Sequence, residues 1–448
     1  MMSHAMILSL TVLMLGASAC LAAGDTVRKT WQDPEGTVVF RAGEGGYHTY
    51  RIPALIVSRK GTLLAFCEGR KDSRSDTGEI NTILRRSFDG GKTWGPVQIV
   101  AADGPNTFGN PCPVVERESG TIWLPLTKNL GEDNEGEIKM GTARGTRTVW
   151  ICKSTDDGAT WSRPVEITAS TKKKDWAWYA TGPGVGIQLK SGRLVVPCDY
   201  AQLGTRDYGS HIIYSDDRGA TWKIGGDVFP GTNECQAVEL EDGSLMLNMR
   251  SSAEQLCRQI ATSKDQGLTF SEMRGDKTLV EPVCQASFLR YTTSTDGGRS
   301  RLPFTNPASL RRNMMTVRMS YDEGKTWPVA KLLDPRDVRG RRGAGGRTEL
   351  RLLRPLCLPR RRCPGDRALP GGGRVPADGR CAHGAYHSPD EGSGSKLPEQ
   401  PHRRGDAGGR LARNRRYPGR PRPPPHQRRG LCRAHLRRRS LLAGEDPR

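Results

Sequence analysis

The chain has 448 residues, of which 35% are hydrophobic, which is enough to bury the core of one large domain or of two to three ordinary ones. Its net charge of +21 is unevenly placed: residues 336–448 hold 29 basic and 10 acidic residues, and residues 1–335 carry only +2. The composition therefore excludes a strongly basic body of the kind that binds nucleic acid over its whole surface.

Residues 1–23 have the pattern of a secretory signal, with an apolar core followed by small residues, although the usual Lys or Arg before that core is absent. We predict cleavage near Ala22 or Ala23 and a secreted or periplasmic protein. A lipoprotein anchor at Cys20 is the weaker alternative, because no leucine lies three residues before it. No later stretch approaches 18 consecutive apolar residues, which predicts that the chain has no transmembrane span.

A short motif, S-x-D-x-G-x-T-[W/F], occurs five times, with starts separated by 67, 61, 48 and 57 residues. The five copies are SFDGGKTW (87–94), STDDGATW (154–161), SDDRGATW (215–222), SKDQGLTF (263–270) and SYDEGKTW (320–327). In such a turn we expect Asp to cap its own backbone, Gly to supply a positive φ, and Thr with the aromatic residue to fix the turn on the next strand.

The segments between these turns are short β-rich runs such as SGRLVVPCD (191–199) and DGSLMLNMR (242–250). No amphipathic helix is predicted before residue 335. Units of about 50 residues that contain several short strands are typical of the blades of a β-propeller. The sequence therefore predicts an all-β propeller over residues 35–335.

Arg51 lies within YHTYRIPALIVS (47–58), at the start of a run that reads as a buried strand. A guanidinium that points into a core without a partner costs several kcal/mol, so it needs a carboxylate from the protein or from a ligand. With the five turns, this YRIP motif resembles the sialidase (neuraminidase) family, whose members are six-bladed propellers with such turns, called Asp-boxes, and a FRIP or YRIP motif in the first blade. The resemblance covers residues 35–333 and implies a last blade that is incomplete here.

The resemblance implies three arginines that bind the carboxylate of sialic acid, a task for which planar, bidentate donors suit better than lysine. Arg51 matches the YRIP motif, and Arg250 in LMLNMRSS matches an N-x-R-S strand end. Arg312 in SLRRNMMTVRMS matches the strand before the last Asp-box, with Arg311 as the open alternative. Arg70, in EGR, resembles a secondary arginine that positions the carboxylate.

Two carboxylates are implied as acid and base. Asp76 is the candidate general acid, because closure of its Ser-, Thr- and Gly-rich loop over a substrate would desolvate it and raise its pKa; Asp72 is the alternative. The family attacks with a tyrosine, since a carboxylate nucleophile would repel the carboxylate of the substrate. Glu234 in NECQ matches the glutamate that serves as base for that tyrosine.

The nucleophilic tyrosine itself has no match. In the family it follows the last Asp-box, where this chain reads DPRDVRGRR, and neither Tyr386 nor Tyr417 has a fitting context. The segment DWAWYATGPGVGIQLKSG (175–192) resembles a glycan-facing loop, which predicts that Trp176, Trp178 and Tyr179 stack on a sugar. Because strand alternation puts Trp176 and Trp178 on one face, the alternative is that one face is core and the other lines the pocket.

Residues 336–448 are rich in Arg, Gly and Pro and contain no Ile, Phe, Trp or Met. We predict disorder there, because so little apolar surface cannot offset the ordering entropy. Two origins stay open: a genuine tail, or the product of a frameshift in a GC-rich gene. The abrupt change of composition inside an expected blade favours the frameshift.

The sequence thus predicts an exo-α-sialidase that releases terminal sialic acid from sialylated glycoproteins, glycolipids such as gangliosides, or oligosaccharides, without a metal or organic cofactor. The first alternative is an inactive sialic-acid-binding propeller that lacks the tyrosine. The second, a nucleic-acid-binding protein, fits poorly behind an export signal, so no nucleic-acid partner is predicted.

Overall fold

A computed structural model describes residues 36–252, 255–336 and 349–353. All of them lie in the first of two compact units, Met1–Arg362, whereas the second, Cys363–Arg448, lies outside the described residues. Strand β1 (Gly36–Arg41) opens the described chain. No helix in the described part is long and apolar enough to cross a membrane.

The first two blades share one sheet, joined by a single parallel bridge between Ile80 and Thr107. The first blade contains β2 (Thr49–Val57), β3 (Leu63–Arg70), β4 (Ile80–Ser87) and β5 (Gln98–Ala101). The second contains β6 (Thr107–Gly109), β7 (Val114–Val115), β8 (Ile122–Asn129), β9 (Thr148–Ser154) and β10 (Val165–Glu166).

Three further antiparallel sheets follow in chain order. The third blade contains β11 (Trp176–Thr181), β12 (Ile187–Gln188), β13 (Leu194–Gln202), β14 (Tyr208–Ser215) and β15 (Lys223–Val228). The fourth contains β16 (Thr232–Glu239), β17 (Leu245–Ser251), β18 (Cys257–Ser263) and β19 (Arg274–Val280). The fifth contains β20 (Ser287–Phe288), β21 (Leu302–Pro307), β22 (Met315–Ser320) and β23 (Val329–Asp334).

The hydrophobic core lies between successive blades. Leu64 of the first blade packs in one cluster with Leu124 of the second, and Val149 of the second with Val196 of the third. Leu245 belongs to the cluster between the third and fourth blades, and Phe304 belongs to the cluster between the fourth and fifth blades. Because each central strand is covered on both faces, its residues are apolar almost without interruption, and every residue of β3 is buried.

Each Asp-box begins at the last residue of a strand, namely β4, β9, β14, β18 or β22. In the second box the amide of Gly158 donates to the hydroxyl of Ser154 at 2.9 Å, and the hydroxyl of Thr160 donates to Asp156 at 2.5 Å. The other four boxes repeat these bonds. The predicted turn is confirmed, with one addition: the residue before the glycine, here Asp157, also has a positive φ.

Among the described residues three short helices interrupt the β-structure, none longer than six residues: α1 (Glu135–Met140), α2 (Thr168–Thr171) and α3 (Ser294–Gly297). Helix α1 begins with a capping box, in which Asn134 accepts from the amide of Glu137 and Glu137 reaches back to the amide of Asn134. A capping signal of this kind is visible in the sequence, but the helix that follows it has only six residues.

Strand β24 (Glu349–Leu353) pairs antiparallel with β1. At these five residues the structure differs from the predicted disorder, because β1 offers an edge of backbone donors and acceptors to a segment with alternating leucines. Residues 337–348 and 354–448 lie outside the described residues, as does the predicted signal at 1–23. The all-β prediction is confirmed, and within the described ranges five blades and the β1–β24 pair are present.

Candidate active site

Arg51 lies where the pairing of β2 with β3 is interrupted. The register shifts between Arg51 and Ala54, and Ile52 adopts a φ of 56°. Such a backbone is strained for a β-branched residue, and a bulge of this kind re-aims the side chains beside it. The Nη1 atom of Arg51 lies 2.8 Å from Oδ1 of Asp76, so in this structure the partner of the arginine comes from the protein itself.

Asp76 is shared between two arginines. Its Oδ1 atom also lies 2.7 Å from Nη2 of Arg70, a buried arginine whose Nη2 and Nε are 2.5 and 3.0 Å from Oε2 of Glu68. Burial disfavours the charged form of Asp76, but Arg70 and Arg51 outweigh burial and hold the pKa of this carboxyl below its usual value. Asp76 is therefore ionised at neutral pH in this state.

Arg70 also fixes the loop that carries Asp76. Its Nη1 atom donates to the carbonyl oxygens of Arg74 at 2.8 Å and Ser75 at 2.6 Å. The alternative acid, Asp72, is exposed, as Asp76 also is, but Asp72 forms no ion pair with Arg51 or Arg70. Of the two carboxylates, the structure brings Asp76 to the arginines.

Glu234 and Arg250 form a second carboxylate–arginine pair, with Nη1 of Arg250 2.7 Å from Oε2 of Glu234. The two residues lie on neighbouring strands β16 and β17, and a register shift between Thr232 and Cys235 interrupts the pairing at this point. Both side chains are mostly buried. The Nε atom of Arg250 is buried and has no hydrogen-bond partner in the described part of the chain.

Arg312 lies in the turn that precedes β22. Its Nη2 atom donates to the carbonyl of Val283 at 3.1 Å, and its Nε atom is buried without a partner among the described residues. Burial raises the pKa of the nearby Cys284 thiol, and the charges of Arg312, Glu234 and Arg250 all act on that thiol. Arg312 thus acts on the same thiol as the Glu234–Arg250 pair and bonds to the residue before that thiol, whereas Arg311 is exposed.

Two ionisable residues that sequence reasoning missed interact electrostatically with these groups. Arg147 is buried, donates to Oδ1 of Asn110 at 2.7 Å and lies 4.0 Å from the centre of the Trp178 ring. Asp199 is buried on β13, and burial, followed by the charge of Glu234, raises the pKa of its carboxyl well above the usual value. The charges of Arg147 and Asp199 act on each other, which connects the two carboxylate–arginine groups.

Glu135, at the start of α1, is a third missed residue. It accepts a hydrogen bond from the hydroxyl of Tyr208, to which Nζ of Lys139 donates at 2.6 Å. Burial, together with the charge of Glu135, raises the pKa of Tyr208. The only sequence signal for Asp199 was a lone carboxylate in an apolar strand, and for Glu135 it was the start of a helix, so neither pointed to a site.

The prediction for Tyr179 is wrong. Its ring is fully buried in the core between the second and third blades, and its hydroxyl donates to the carbonyl of Thr171 at 3.3 Å. Trp176 and Trp178 are also buried, and Trp176 stacks on Tyr200 with ring centres 3.7 Å apart. A sugar cannot stack on these rings, because other side chains already cover them.

No tyrosine among the described residues is bonded to the candidate base. The carboxylate of Glu234 bonds to Arg250 and to no tyrosine in the ranges that the structure covers. Tyr386 and Tyr417 lie outside the described residues. The site as described therefore contains the arginines and both candidate carboxylates.

Comparison with known proteins shows the family to which the chain belongs. Residues 61–375 match the model of the BNR repeat-like domain family. The chain is 36% identical over 310 residues to a sialidase of Micromonospora viridifaciens, covering 65% of this chain and 47% of that protein. It is 34% identical to an exo-alpha-sialidase of Aspergillus fumigatus, covering 67% of this chain and 75% of that protein.

A solved structure, the Hadza microbial sialidase Hz136, superposes with a TM-score of 0.63 at 34% identity, covering 67% of this chain and 62% of that chain. The fold is that of the sialidase propeller, and the chain belongs to the sialidase family. It spans about half the length of the bacterial relative from Micromonospora viridifaciens.

Proposed function

We propose that this protein is an exo-α-sialidase, a retaining glycoside hydrolase that releases terminal sialic acid from glycoproteins, glycolipids such as gangliosides, or oligosaccharides. The observation that carries the proposal is the placement of Asp76 Oδ1 between Arg51 and Arg70, at 2.8 and 2.7 Å. A carboxylate already occupies the arginines here, as the carboxylate of a substrate would. This is the arrangement expected of an anion site in which the acid is held beside the binding groups.

Substrate binding would use donors that the protein leaves unpaired. Arg250 and Arg312 each hold a buried Nε atom for which the described residues provide no acceptor. A buried donor without an acceptor costs about 1–3 kcal/mol, so neither guanidinium is fully satisfied by the described residues, and a carboxylate that bonds its terminal nitrogens would add the missing acceptor. Arg51, Arg250 and Arg312 are therefore the proposed carboxylate ligands, with Arg70 holding the loop of Asp76.

Asp76 must be protonated to act as general acid, yet Arg70 and Arg51 keep it ionised in the free protein. A substrate carboxylate that binds Arg51 would neutralise part of this positive field and add a like charge near Asp76. Both effects raise the pKa of Asp76, and closure over the substrate adds desolvation. In this proposal Asp76 is ionised in the free protein and gains its proton when the substrate binds.

Glu234 is the proposed base for a tyrosine nucleophile, as the family resemblance implies. Its pairing with Arg250 at 2.7 Å supports this proposal, because one strand pair would then hold both the activating group and an arginine that binds the substrate carboxylate. The proposal leaves the tyrosine unassigned, since residues 337–348 and 354–448 are not described.

Export belongs to the same proposal and rests on the signal-like pattern of residues 1–23. Expression of the full chain in a bacterial host, followed by N-terminal sequencing of the protein in the periplasm and medium, tests it. We expect a new N-terminus after Ala22 or Ala23. Intact protein that stays in the cytoplasm would contradict export.

The activity is tested with a fluorogenic aryl α-sialoside and the purified full chain. We expect release of the fluorophore, with α-sialic acid as the first product by NMR. D76N should lose most of this activity, whereas D216N, at a surface ion pair with Arg193 in the third Asp-box, should keep it.

Two other outcomes decide against the proposal in different ways. Binding of sialic acid without any hydrolysis would identify the inactive sialic-acid-binding propeller instead. If the folded protein neither binds sialic acid nor hydrolyses the sialoside, both functions are contradicted.

A further inference from the structure

Arg258 is the largest of the fully buried side chains, and it forms an ion pair with the equally buried Glu281, with Nη1 2.8 Å from Oε2. A buried ion pair is a poor way to gain stability, because apolar residues of similar volume often serve as well or better. The pair is therefore better explained by the backbone groups that its two side chains bind.

On one side the pair holds the strand that carries Arg250. Oε1 of Glu281 accepts from the amide of Ser251 at 2.5 Å, directly after Arg250. Arg258 donates from Nε to Oδ1 of Asn248 at 2.6 Å and from Nη2 to its carbonyl at 3.0 Å, two residues before Arg250. The backbone on both sides of Arg250 is thus fixed by one buried pair.

On the other side the pair holds the connector 281–286 between β19 and β20. Nη1 of Arg258 donates to the carbonyl of Cys284 at 2.9 Å. The neighbouring Val283, whose carbonyl accepts from Arg312, has a φ of 50°, which is strained for a β-branched residue and persists only where its surroundings fix it. In the same connector, Nε2 of Gln285 donates to the carbonyl of Cys235, next to Glu234, at 3.3 Å.

We propose that the buried Arg258–Glu281 pair is a positioning element that sets Arg250 and Arg312, from two blades, at the spacing required by one substrate carboxylate. The pair touches no substrate and acts through the amide of Ser251 and the carbonyls of Asn248, Val283 and Cys284. This inference rests on the proposed function for its ligand. A misplacement of about 1 Å at such a site costs up to about a hundredfold.

The test replaces the pair by apolar residues in the full chain, as R258M/E281L, and measures the Kd of free sialic acid and of its analogue with the C1 carboxyl reduced to an alcohol. We expect a melting temperature close to that of the wild type, a loss of about tenfold or more in sialic acid affinity and an unchanged affinity for the alcohol. The control is R290M/E323L, which removes a partly buried arginine–glutamate pair whose arginine bonds the carbonyl of Glu239 rather than the backbone of the site. The control should leave both affinities within about twofold of wild type.

Two results would overturn the inference: unchanged sialic acid affinity in R258M/E281L, or an equal loss for acid and alcohol, which a merely structural defect would give. A wild type that binds no sialic acid would contradict the proposed function instead. In that case ligand-free crystal structures decide the positioning role. Displaced Arg250 or Arg312 guanidiniums in R258M/E281L but not in the control would support it, and unmoved guanidiniums would overturn it.

Discussion

The Asp-box turns and the arginine site both depend on aspartates, but they are built in opposite ways. In a box, the carboxylate of Asp156 is bound by residues within four positions along the chain, and every copy repeats the same bonds. At the site, Asp76 is bound by arginines from β2 and β3 and lies in the electrostatic field of Arg147 from the second blade. The turns are local and self-sufficient, whereas the site depends on the blades being assembled.

The largest expected effect concerns the base. E234Q leaves the strand pair and its shape in place but removes the charge that would activate a nucleophile and that now pairs with Arg250. We expect kcat/KM for an aryl α-sialoside to fall by about 10²- to 10⁴-fold. Steady-state kinetics of E234Q and wild type measure it, with circular dichroism as the folding control. A loss below fivefold would show that Glu234 is an ordinary edge residue.

Arg51 sharpens the comparison, because its role depends on bidentate geometry rather than on charge alone. R51K keeps the positive charge near Asp76 but loses the planar fork, so we expect KM for the sialoside to rise by about tenfold with a smaller change in kcat. The matched control is R85K, which alters a first-blade arginine that bonds the carbonyl of Val39. Equal kinetics in R51K and R85K would contradict a ligand role for Arg51.

The acid should show itself in the pH dependence. Arg70 and Arg51 lower the pKa of Asp76 in the free protein, and a bound substrate carboxylate raises it. The alkaline limb of kcat, which reports the substrate complex, should therefore lie at higher pH than the alkaline limb of kcat/KM, which reports the free enzyme. D76N should abolish both limbs. Coincident limbs would mean that the substrate does not displace Arg51 from Asp76.

The smallest effect belongs to a single Asp-box. Hydrogen bonds from Thr160 outweigh burial and hold the pKa of Asp156 at about 2, below that of an unfolded aspartate. The stabilisation is therefore complete above about pH 4 and is lost as the pH falls towards 2. D156N should lower stability by about 1 kcal/mol at pH 7, as the loss of a helix cap does, and leave kinetics unchanged.

Urea unfolding of D156N and wild type at pH 7 and pH 3 measures this difference, which should shrink at the lower pH. A difference that stays the same at both pH values would show that the carboxylate charge does not stabilise the turn. A change in sialoside kinetics would show that the turns and the site are not independent.

The sequence could predict what is local or motif-bound. The Asp-boxes follow from five residues in a fixed order, and Arg51, Arg70 and Asp76 lie on one short stretch of the first blade, so the structure brings them together. Glu234 and Arg250 come from adjacent strands of one blade, so matching each residue to its motif is also sufficient to predict that the two lie close together.

What the sequence could not predict depends on packing between blades. Asp199 and Arg147 reach the site only because the second and third blades meet there, and no local pattern records that contact. The same contact buries Tyr179, because the strand pattern alone does not tell which face of the strand packs against the neighbouring blade. Strand β24 depends on a partner some 300 residues away in β1, so composition alone predicted disorder for it.

The central claim is that Arg51, Arg250 and Arg312 form one site for the carboxylate of sialic acid. A crystal structure of the full chain soaked with N-acetylneuraminic acid tests it most directly. The account predicts the carboxylate of the sugar within hydrogen-bond distance of all three guanidiniums, with Arg51 released from Asp76. A sugar bound elsewhere, or a carboxylate that contacts none of the three while the Arg51–Asp76 pair stays intact, would contradict it.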